Sequence, residues 1–140
     1  MLKDVNWLAI VVAVVLLEIV GYAWYAYLFA APWTASQSFT PTGDPNVSMS
    51  IGVVITLILV VGLSWALRRL GAAGLGAHLG GAFALWFFFD FTTMAIDYVY
   101  VGHQPLFVAI NMGYQLAAYL IAAAVLALMP RKVPASTAAA

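Results

Sequence analysis

AFALWFFFDFTTMAIDYVYV, residues Ala82–Val101, is the most informative stretch of this sequence. It is apolar and aromatic, and it contains two carboxylates, Asp90 and Asp97, with no lysine or arginine. At about 1.5 Å per residue, a helix of this length covers most of a membrane hydrocarbon layer that is roughly 30 Å thick. The seven-residue spacing places both acids on one stripe of that helix. An acid at this depth costs about 2.5 to 3.5 kcal/mol on insertion scales, so both acids are expected to face protein or water.

The composition of the whole chain is typical of a membrane protein. Of its 140 residues, 66% are hydrophobic and 7% are charged, whereas soluble domains carry about 25% charged residues. Five basic residues are too few to form a face for nucleic acid. Without cysteine, the sequence has no disulfide, no thiolate nucleophile and no cysteine-based metal site. These counts predict an integral membrane protein whose main surroundings are the lipid bilayer.

Four long apolar runs predict four transmembrane helices. Each run holds at least the roughly 20 residues needed to cross the hydrocarbon layer. The predicted helices cover residues 5–31, 47–70, 77–101 and 106–129. The fold class is therefore an all-α membrane protein, a single four-helix transmembrane bundle over residues 1–130. A short disordered tail is expected at 131–140.

Proline, glycine and polar residues mark the connections between these helices. Pro32 is expected to end the first helix, and the residues from there to Asn46 are expected to form a loop. Asn46 or Ser48 is expected to cap the second helix.

The basic residues predict the orientation of the bundle. Cytoplasmic loops of membrane proteins carry an excess of lysine and arginine. If the four helices alternate across the membrane, all the basic residues fall on one side: Lys3, Arg68, Arg69, Arg131 and Lys132. Both termini are therefore expected in the cytoplasm.

Three short motifs resemble those of one known family. Residues 6–9 read NWLA, residues 21–25 read GYAWY and residues 113–116 read GYQL. Their order and spacing resemble the DUF1761 family, a domain of unknown function in small bacterial four-helix integral membrane proteins. The resemblance implies a four-helix bundle in the bacterial cytoplasmic membrane, and it brings no activity, substrate or site residue. Glu18 departs from the family pattern, in which an apolar residue is usual, so a role for Glu18 would not extend to the whole family.

Two acids are predicted near the middle of the membrane. Glu18 is near the centre of the first helix and Asp90 near the centre of the third, so their depths are similar. If the two face each other, one would hold a proton at neutral pH, because burial and a like charge both disfavour ionisation. Such a pair can exchange a proton for a cation, and aromatic rings beside it can hold an organic cation. The candidate proton or ligand-binding residues are Glu18, Asp90, Asp97, Tyr22, Tyr25, Trp86, Asn111 and Gln115.

Small residues predict where helices pack closely. Gly76 and Gly80 form a GxxxG pair, and the fourth helix is rich in alanine. The candidate packing residues are Gly76, Gly80, Gly113, Ala118 and Ala122. His78 lies in the same glycine-rich stretch, where a haem or pigment ligand is the alternative to simple packing. No other cofactor and no metal site is expected.

The sequence leaves two classes of function open. The first is a proton-coupled pathway or binding site for a small solute. This solute would be a cation if Glu18 and Asp90 form the site. The second is a non-catalytic accessory or structural subunit of a larger membrane complex, in which the acids are neutral and only fix helix packing. The first needs both acids to line one hydrated cavity, whereas the second needs them capped and dry. No nucleophile–base–orienter set is apparent, so an enzyme is not expected. The protein is expected to form a homo-oligomer or to belong to a larger complex.

Overall fold

The computed structural model describes residues 5–38 and 42–130, and in this part of the chain all regular structure is helical. Its helices are α1 (Trp7–Leu28), α2 (Ala30–Ala35), α3 (Pro45–Arg69), α4 (Gly74–Val101) and α5 (Pro105–Leu128). All except the short α2 are long and apolar enough to cross a membrane, which confirms the prediction of four such helices. The tail predicted at 131–140 lies outside the described residues.

α1 changes its geometry before it ends. The regular α-helix is replaced at Trp24–Leu28 by a π-helical turn, and Phe29 leaves helical backbone geometry with φ −122° and ψ 15°. The chain then forms α2 inside the segment predicted to be a loop. The prediction that Pro32 ends the first helix is wrong. Pro32 lies in the first turn of α2, where backbone N–H groups have no helical partner and proline is tolerated.

α3 begins two residues before its predicted start. The Asp44 carboxylate accepts a hydrogen bond from the backbone N–H of Asn46 at 2.8 Å, and Pro45 occupies the first helical position. Both are favourable choices for a helix start. The predicted caps, Asn46 and Ser48, are therefore wrong, because both residues lie inside the helix.

Glycines with a positive φ lie at the connections between α3 and α4 and between α4 and α5. Gly71 (φ 68°) and Gly74 (φ 74°) turn the chain between α3 and α4, and Gly102 (φ 80°) ends α4. A residue with a Cβ atom is strained in this left-handed region, which is why glycine ends many helices. α4 consequently begins at Gly74, three residues before the prediction, and it contains a second π-helical turn at Trp86–Phe91.

α5 is the central element of the bundle. It packs against all the other helices, whereas α1 packs mainly against α3 and α5, and α4 mainly against α5. The buried core includes Ile10, Ala13, Leu17, Val60, Leu63, Leu67, Ala82, Ala118, Ala122 and Ala123. The outward faces of the four long helices are strongly apolar, as contact with lipid requires, with exposed side chains such as Leu8, Ile19, Ile58 and Phe88.

α3 joins this core only through its second half. Its buried residues are Val60, Leu63, Ser64 and Leu67, and none lies between Pro45 and Leu59. The first half of α3 therefore stands away from α1 and α5, and this separation creates the space described next.

Candidate functional site

A cavity of about 440 Å³ lies between α1, the first half of α3, and α5. Its polar and aromatic lining consists of Glu18, Tyr22, Tyr25, Thr56, Tyr114 and Gln115. Glu18 is half-buried and occupies the middle of α1, so its carboxyl group faces the cavity well inside the membrane-spanning part of the chain. The lining therefore combines one acid, three phenol rings, an amide and a hydroxyl.

The wall formed by α3 is mostly apolar, with Met49, Ile55 and Leu59 beside Gly52 and Thr56. Gly52 and Thr56 are four positions apart, so they share the face that lines the cavity. The Thr56 hydroxyl donates to the Gly52 carbonyl oxygen at 3.0 Å, an internal bond that satisfies the hydroxyl within its own helix. This wall thus presents few competing polar groups to a ligand.

Tyr114 is held beside Glu18 by contacts with α1. Its hydroxyl donates to the Leu17 carbonyl oxygen at 3.2 Å, and it interacts electrostatically with Glu18. The side chain fits there because Gly21 has no Cβ, since a Cβ atom at that position would lie 2.8 Å from the Tyr114 hydroxyl oxygen. A glycine on α1 is therefore what allows an α5 tyrosine to approach the acid.

Tyr25 is fixed by a chain of hydrogen bonds to α5. Its hydroxyl donates to Oδ1 of Asn111 at 2.9 Å, and Nδ2 of Asn111 donates to the Phe107 carbonyl oxygen at 2.7 Å. The Tyr25 ring also makes an edge contact with Tyr114, at 5.2 Å between ring centres. Asn111 therefore acts on the cavity through Tyr25, because it positions that ring.

In a second glycine–aromatic contact, the glycine belongs to α5 and the aromatic ring belongs to α1. The Trp24 ring of α1 packs on Gly113 of α5, where a Cβ atom would lie 3.2 Å from the ring, and the indole N–H donates to the Ile110 carbonyl oxygen at 3.2 Å. Each helix thus contributes a glycine that receives an aromatic ring of the other. The GYAWY and GYQL motifs of the sequence meet in this contact.

The structure places the acids of α4 away from this cavity. Asp90 is half-buried and interacts electrostatically with Tyr119 of α5, whereas Glu18 faces Tyr114, on a different side of α5. Asp97 is exposed near the end of α4. The hypothesis that Glu18 and Asp90 face each other is therefore wrong, since α5 separates the helices that carry them.

Trp86 also lies elsewhere. It is 8% exposed and packs among the rings of Phe83, Phe87 and Phe91 of its own helix. Of the aromatic candidates, Tyr22 and Tyr25 line the Glu18 cavity together with Tyr114, and the prediction that Trp86 belongs to the same site is wrong.

Several lining residues are absent from the sequence prediction. Met49, Gly52 and Thr56 belong to the second apolar run, which has no acid and no aromatic side chain before Trp65. The signal available for this wall is the Gly–Thr pair four positions apart. Tyr114 is marked in the sequence by its place in the GYQL motif and by its polar neighbours Asn111 and Gln115, with which it could extend a polar track.

The predicted packing residues fall into two groups. Ala118 and Ala122 are buried, and Gly113 receives the Trp24 ring, as described above. Gly76 and Gly80 instead face open space, so their GxxxG pair makes no close helix contact within the described chain. Gly81 packs in their stead, because a Cβ atom there would lie 2.7 Å from a Leu67 methyl group.

The fold and the cavity define a class: a multi-pass, all-helical membrane protein with an acidic, tyrosine-lined cavity among its helices. Within that class, the chain belongs to the DUF1761 family, described as a protein of unknown function, whose family model matches residues 8–127. The matched range contains every residue that lines the Glu18 cavity. Neither a curated protein nor a solved structure matches the chain.

Proposed function

We propose that this protein binds a small organic cation in the Glu18 cavity and that Glu18 releases a proton when the cation enters. The observation that carries this proposal is a carboxyl group in the middle of a membrane-spanning helix, facing a cavity that three tyrosine rings share. The volume of about 440 Å³ falls in the range of small-molecule sites.

The exchange follows from the surroundings of Glu18. An isolated negative charge inside the hydrocarbon layer is costly. A cation that enters as the proton leaves forms a neutral pair with the carboxylate, so the charge in the cavity stays balanced.

The tyrosines would select an organic cation over a strongly hydrated metal ion. Aromatic faces attract organic cations by cation–π contact. Tyr25 and Tyr114 are already held by hydrogen bonds to Asn111 and Leu17, so little side-chain freedom is lost on binding. Gln115 and Thr56 would supply polar contacts at the edge of the ligand.

We also propose the orientation that the basic residues predict, with both termini in the cytoplasm of a bacterial cell and the chain in its cytoplasmic membrane. In that orientation the first half of α3 and the end of α1 are on the outer side. The cavity would then connect to the outer half of the membrane, and a proton-coupled pathway would pass Glu18. Catalysis, a cofactor and a haem or pigment at His78 form no part of this proposal.

The test is a measurement of proton release from the full-length protein in mild detergent and weak buffer. Tetraethylammonium and tetraphenylphosphonium are the probes. The wild type is expected to release protons as the cation is added, and Glu18→Gln is expected to release none. Asp90→Asn is the matched control, because it removes a half-buried acid outside the cavity, and it is expected to behave like the wild type. Absence of release from the wild type, with its helix content intact, would contradict the proposal for these cations.

A second candidate is the accessory or structural subunit, in a larger complex or a homo-oligomer. Gly76 and Gly80 support it, because their pair is exposed on α4 with open space above it. Small residues at this spacing bring membrane helices together. Gly80→Ile is expected to reduce the mass of the assembly in native mass spectrometry, and Gly62→Ile, at an exposed glycine of α3, is expected to leave it unchanged. A monomeric wild type would exclude self-association through this pair.

A further inference from the structure

The Glu18 cavity is closed by protein at the end away from α2. Leu17 of α1 and Ala118 of α5 line it there, and both side chains are buried. One helical turn further from α2, Ala13 and Ala122 belong to the buried core of the bundle. The core therefore fills the space on this side of Glu18.

Aromatic rings cover the opposite end of the cavity, next to α2. Tyr25 reaches from α1 to Asn111 of α5, and its ring makes the edge contact with Tyr114 described above. Trp33 of α2 packs on the Tyr25 ring, at 5.0 Å between ring centres, and α2 itself packs against α5. Where α1 meets α5, a layer of rings therefore lies between the cavity and α2.

The side of the cavity between α1 and the first half of α3 is exposed. Tyr22, Met49 and Ile55 line the cavity, yet 61%, 66% and 61% of their surfaces are accessible. Ile55 lies ten residues after the start of α3, and Glu18 lies ten residues before the end of α1. At about 1.5 Å per residue, each is roughly 15 Å from that helix end. The opening is therefore at the depth of the hydrocarbon layer.

The surface around this opening is suited to lipid. Ile19, next to Glu18 on α1, and Ile51 and Val54 on α3 are exposed apolar side chains. In the sequence of α1 and of the first half of α3, Glu18 is the one charged residue. Lipid chains, and not water, are therefore the expected surroundings of the opening.

A molecule that enters by this side must first dissolve in the membrane. A compact, strongly hydrated ion is excluded by the cost of entering hydrocarbon, whereas apolar groups around a charge reduce that cost. We propose that the ligand is a lipid-soluble organic cation that reaches Glu18 from the bilayer, through the gap between α1 and the first half of α3. This inference rests on the function proposed above, and it adds the class of ligand and its route. Met49, Ile55 and Leu59 would contact the apolar part of the ligand.

The route is tested by the reaction of Glu18 with carbodiimides, which form covalent adducts with carboxyl groups. Full-length protein in phosphatidylcholine vesicles would be treated with the lipid-soluble dicyclohexylcarbodiimide, or with a water-soluble carbodiimide present on both sides of the membrane. Mass spectrometry of peptides would locate the adducts. The exposed Asp44 is the control for the water-soluble reagent, which is expected to modify it.

Dicyclohexylcarbodiimide is expected to modify Glu18, and the water-soluble reagent is expected not to. The usual water-soluble carbodiimides carry a positive charge, which would favour an approach to Glu18, so their failure to react would report that no route from water exists. Equal modification of Glu18 by both reagents, or by neither, would overturn the proposal.

Gly52→Phe tests the position of the opening. Gly52 lines the cavity, and nothing lies within 4 Å of a Cβ atom added to it, so a ring there can fill the gap. Gly62→Phe is the matched control, because it adds the same ring to open space on the same helix, outside the cavity. Gly52→Phe is expected to lose most of the modification of Glu18, and Gly62→Phe is expected to keep it. Equal modification in the two variants would contradict entry between α1 and α3.

Tetraphenylphosphonium separates this inference from the function on which it rests. The cation is expected to slow the modification of Glu18 by dicyclohexylcarbodiimide, because both compete for the same carboxyl group. Unchanged modification in its presence would contradict the binding of a cation, and with it the class of ligand, but not the opening to the bilayer. Proton release by the cation without any modification by dicyclohexylcarbodiimide would contradict the route alone.

Discussion

The Tyr114 hydroxyl is the atom on which the candidate site depends most directly. It bonds to the backbone of α1, interacts with Glu18 and occupies the space left by Gly21. A change at any of these partners moves the ring that closes the cavity beside the acid. The site is therefore expected to be as sensitive to a substitution at Gly21 as to one at Glu18.

Gly21→Ala tests this dependence. The added methyl group would lie 2.8 Å from the Tyr114 hydroxyl oxygen, so the ring must shift and its bond to Leu17 is lost or weakened. We expect a loss of about 1 to 3 kcal/mol in the free energy of unfolding. The stability of both variants would be measured by thermal unfolding in detergent. Gly52→Ala is the control, because Gly52 lines the same cavity but nothing lies within 4 Å of its added Cβ atom. Equal stability of the two variants would contradict the contact.

The part of the site that lies on α1 could be predicted from the sequence, and the part that lies on other helices could be predicted less well. Helical spacing alone puts Tyr22 and Tyr25 on the same side of α1 as Glu18, and all three line the cavity. Asp90 is different, because the sequence indicates its depth in the membrane but not the direction in which its helix faces. That direction depends on α5, which separates α4 from α1.

Length and hydropathy are sufficient to predict four helices that can span a membrane, but not their internal geometry. The π-helical turns at Trp24–Leu28 and Trp86–Phe91 each change the direction of the side chains that follow. Nothing in the apolar pattern marks these turns, since aromatic residues there face all sides of the helix. The short helix Ala30–Ala35 also lies outside such a prediction, because proline in its first turn has the appearance of a helix stop.

α3 provides a prediction about motion within one element. Its second half has four buried residues and its first half has none, so the first half is expected to sample more positions. The chain has no cysteine, so pairs of spin labels can be introduced at chosen exposed sites. The distance distribution between labels at Ile51 and Leu106 is expected to be broader than that between Trp65 and Leu128. The distribution for the first pair should also narrow when a bound organic cation fills the cavity.

Two equally narrow distributions would show that the first half of α3 is held by contacts outside the core described here. A broad distribution for both pairs would instead indicate general loosening of the bundle in detergent, and the measurement would then be repeated in a lipid bilayer.

The orientation in the membrane decides which side of the cell the Glu18 cavity faces. In the proposed orientation, with both termini in the cytoplasm, the first half of α3 and the cavity beside it lie toward the outer side.

Cysteine labelling tests this orientation. Thr42→Cys, before α3, is expected to react with a membrane-impermeant maleimide in intact cells. Ala73→Cys, in the turn before α4, is expected to react only after the cells are permeabilised. The reversed pattern would place both termini outside and would assign the Glu18 cavity to the other side of the membrane.

The exchange of glycines and aromatic rings between α1 and α5 has a consequence for how this chain can evolve. The nearest atom to a methyl group at position 21 is the Tyr114 hydroxyl oxygen at 2.8 Å, so the change of Tyr114 to phenylalanine removes the closest contact of an alanine there. The same change gives up the hydroxyl's bond to Leu17. Alanine at position 21 is therefore tolerated better after the tyrosine has changed than before, and the order of mutations matters. Substitutions at this contact between α1 and α5 are therefore expected to depend on each other, with the change at Tyr114 preceding the change at Gly21.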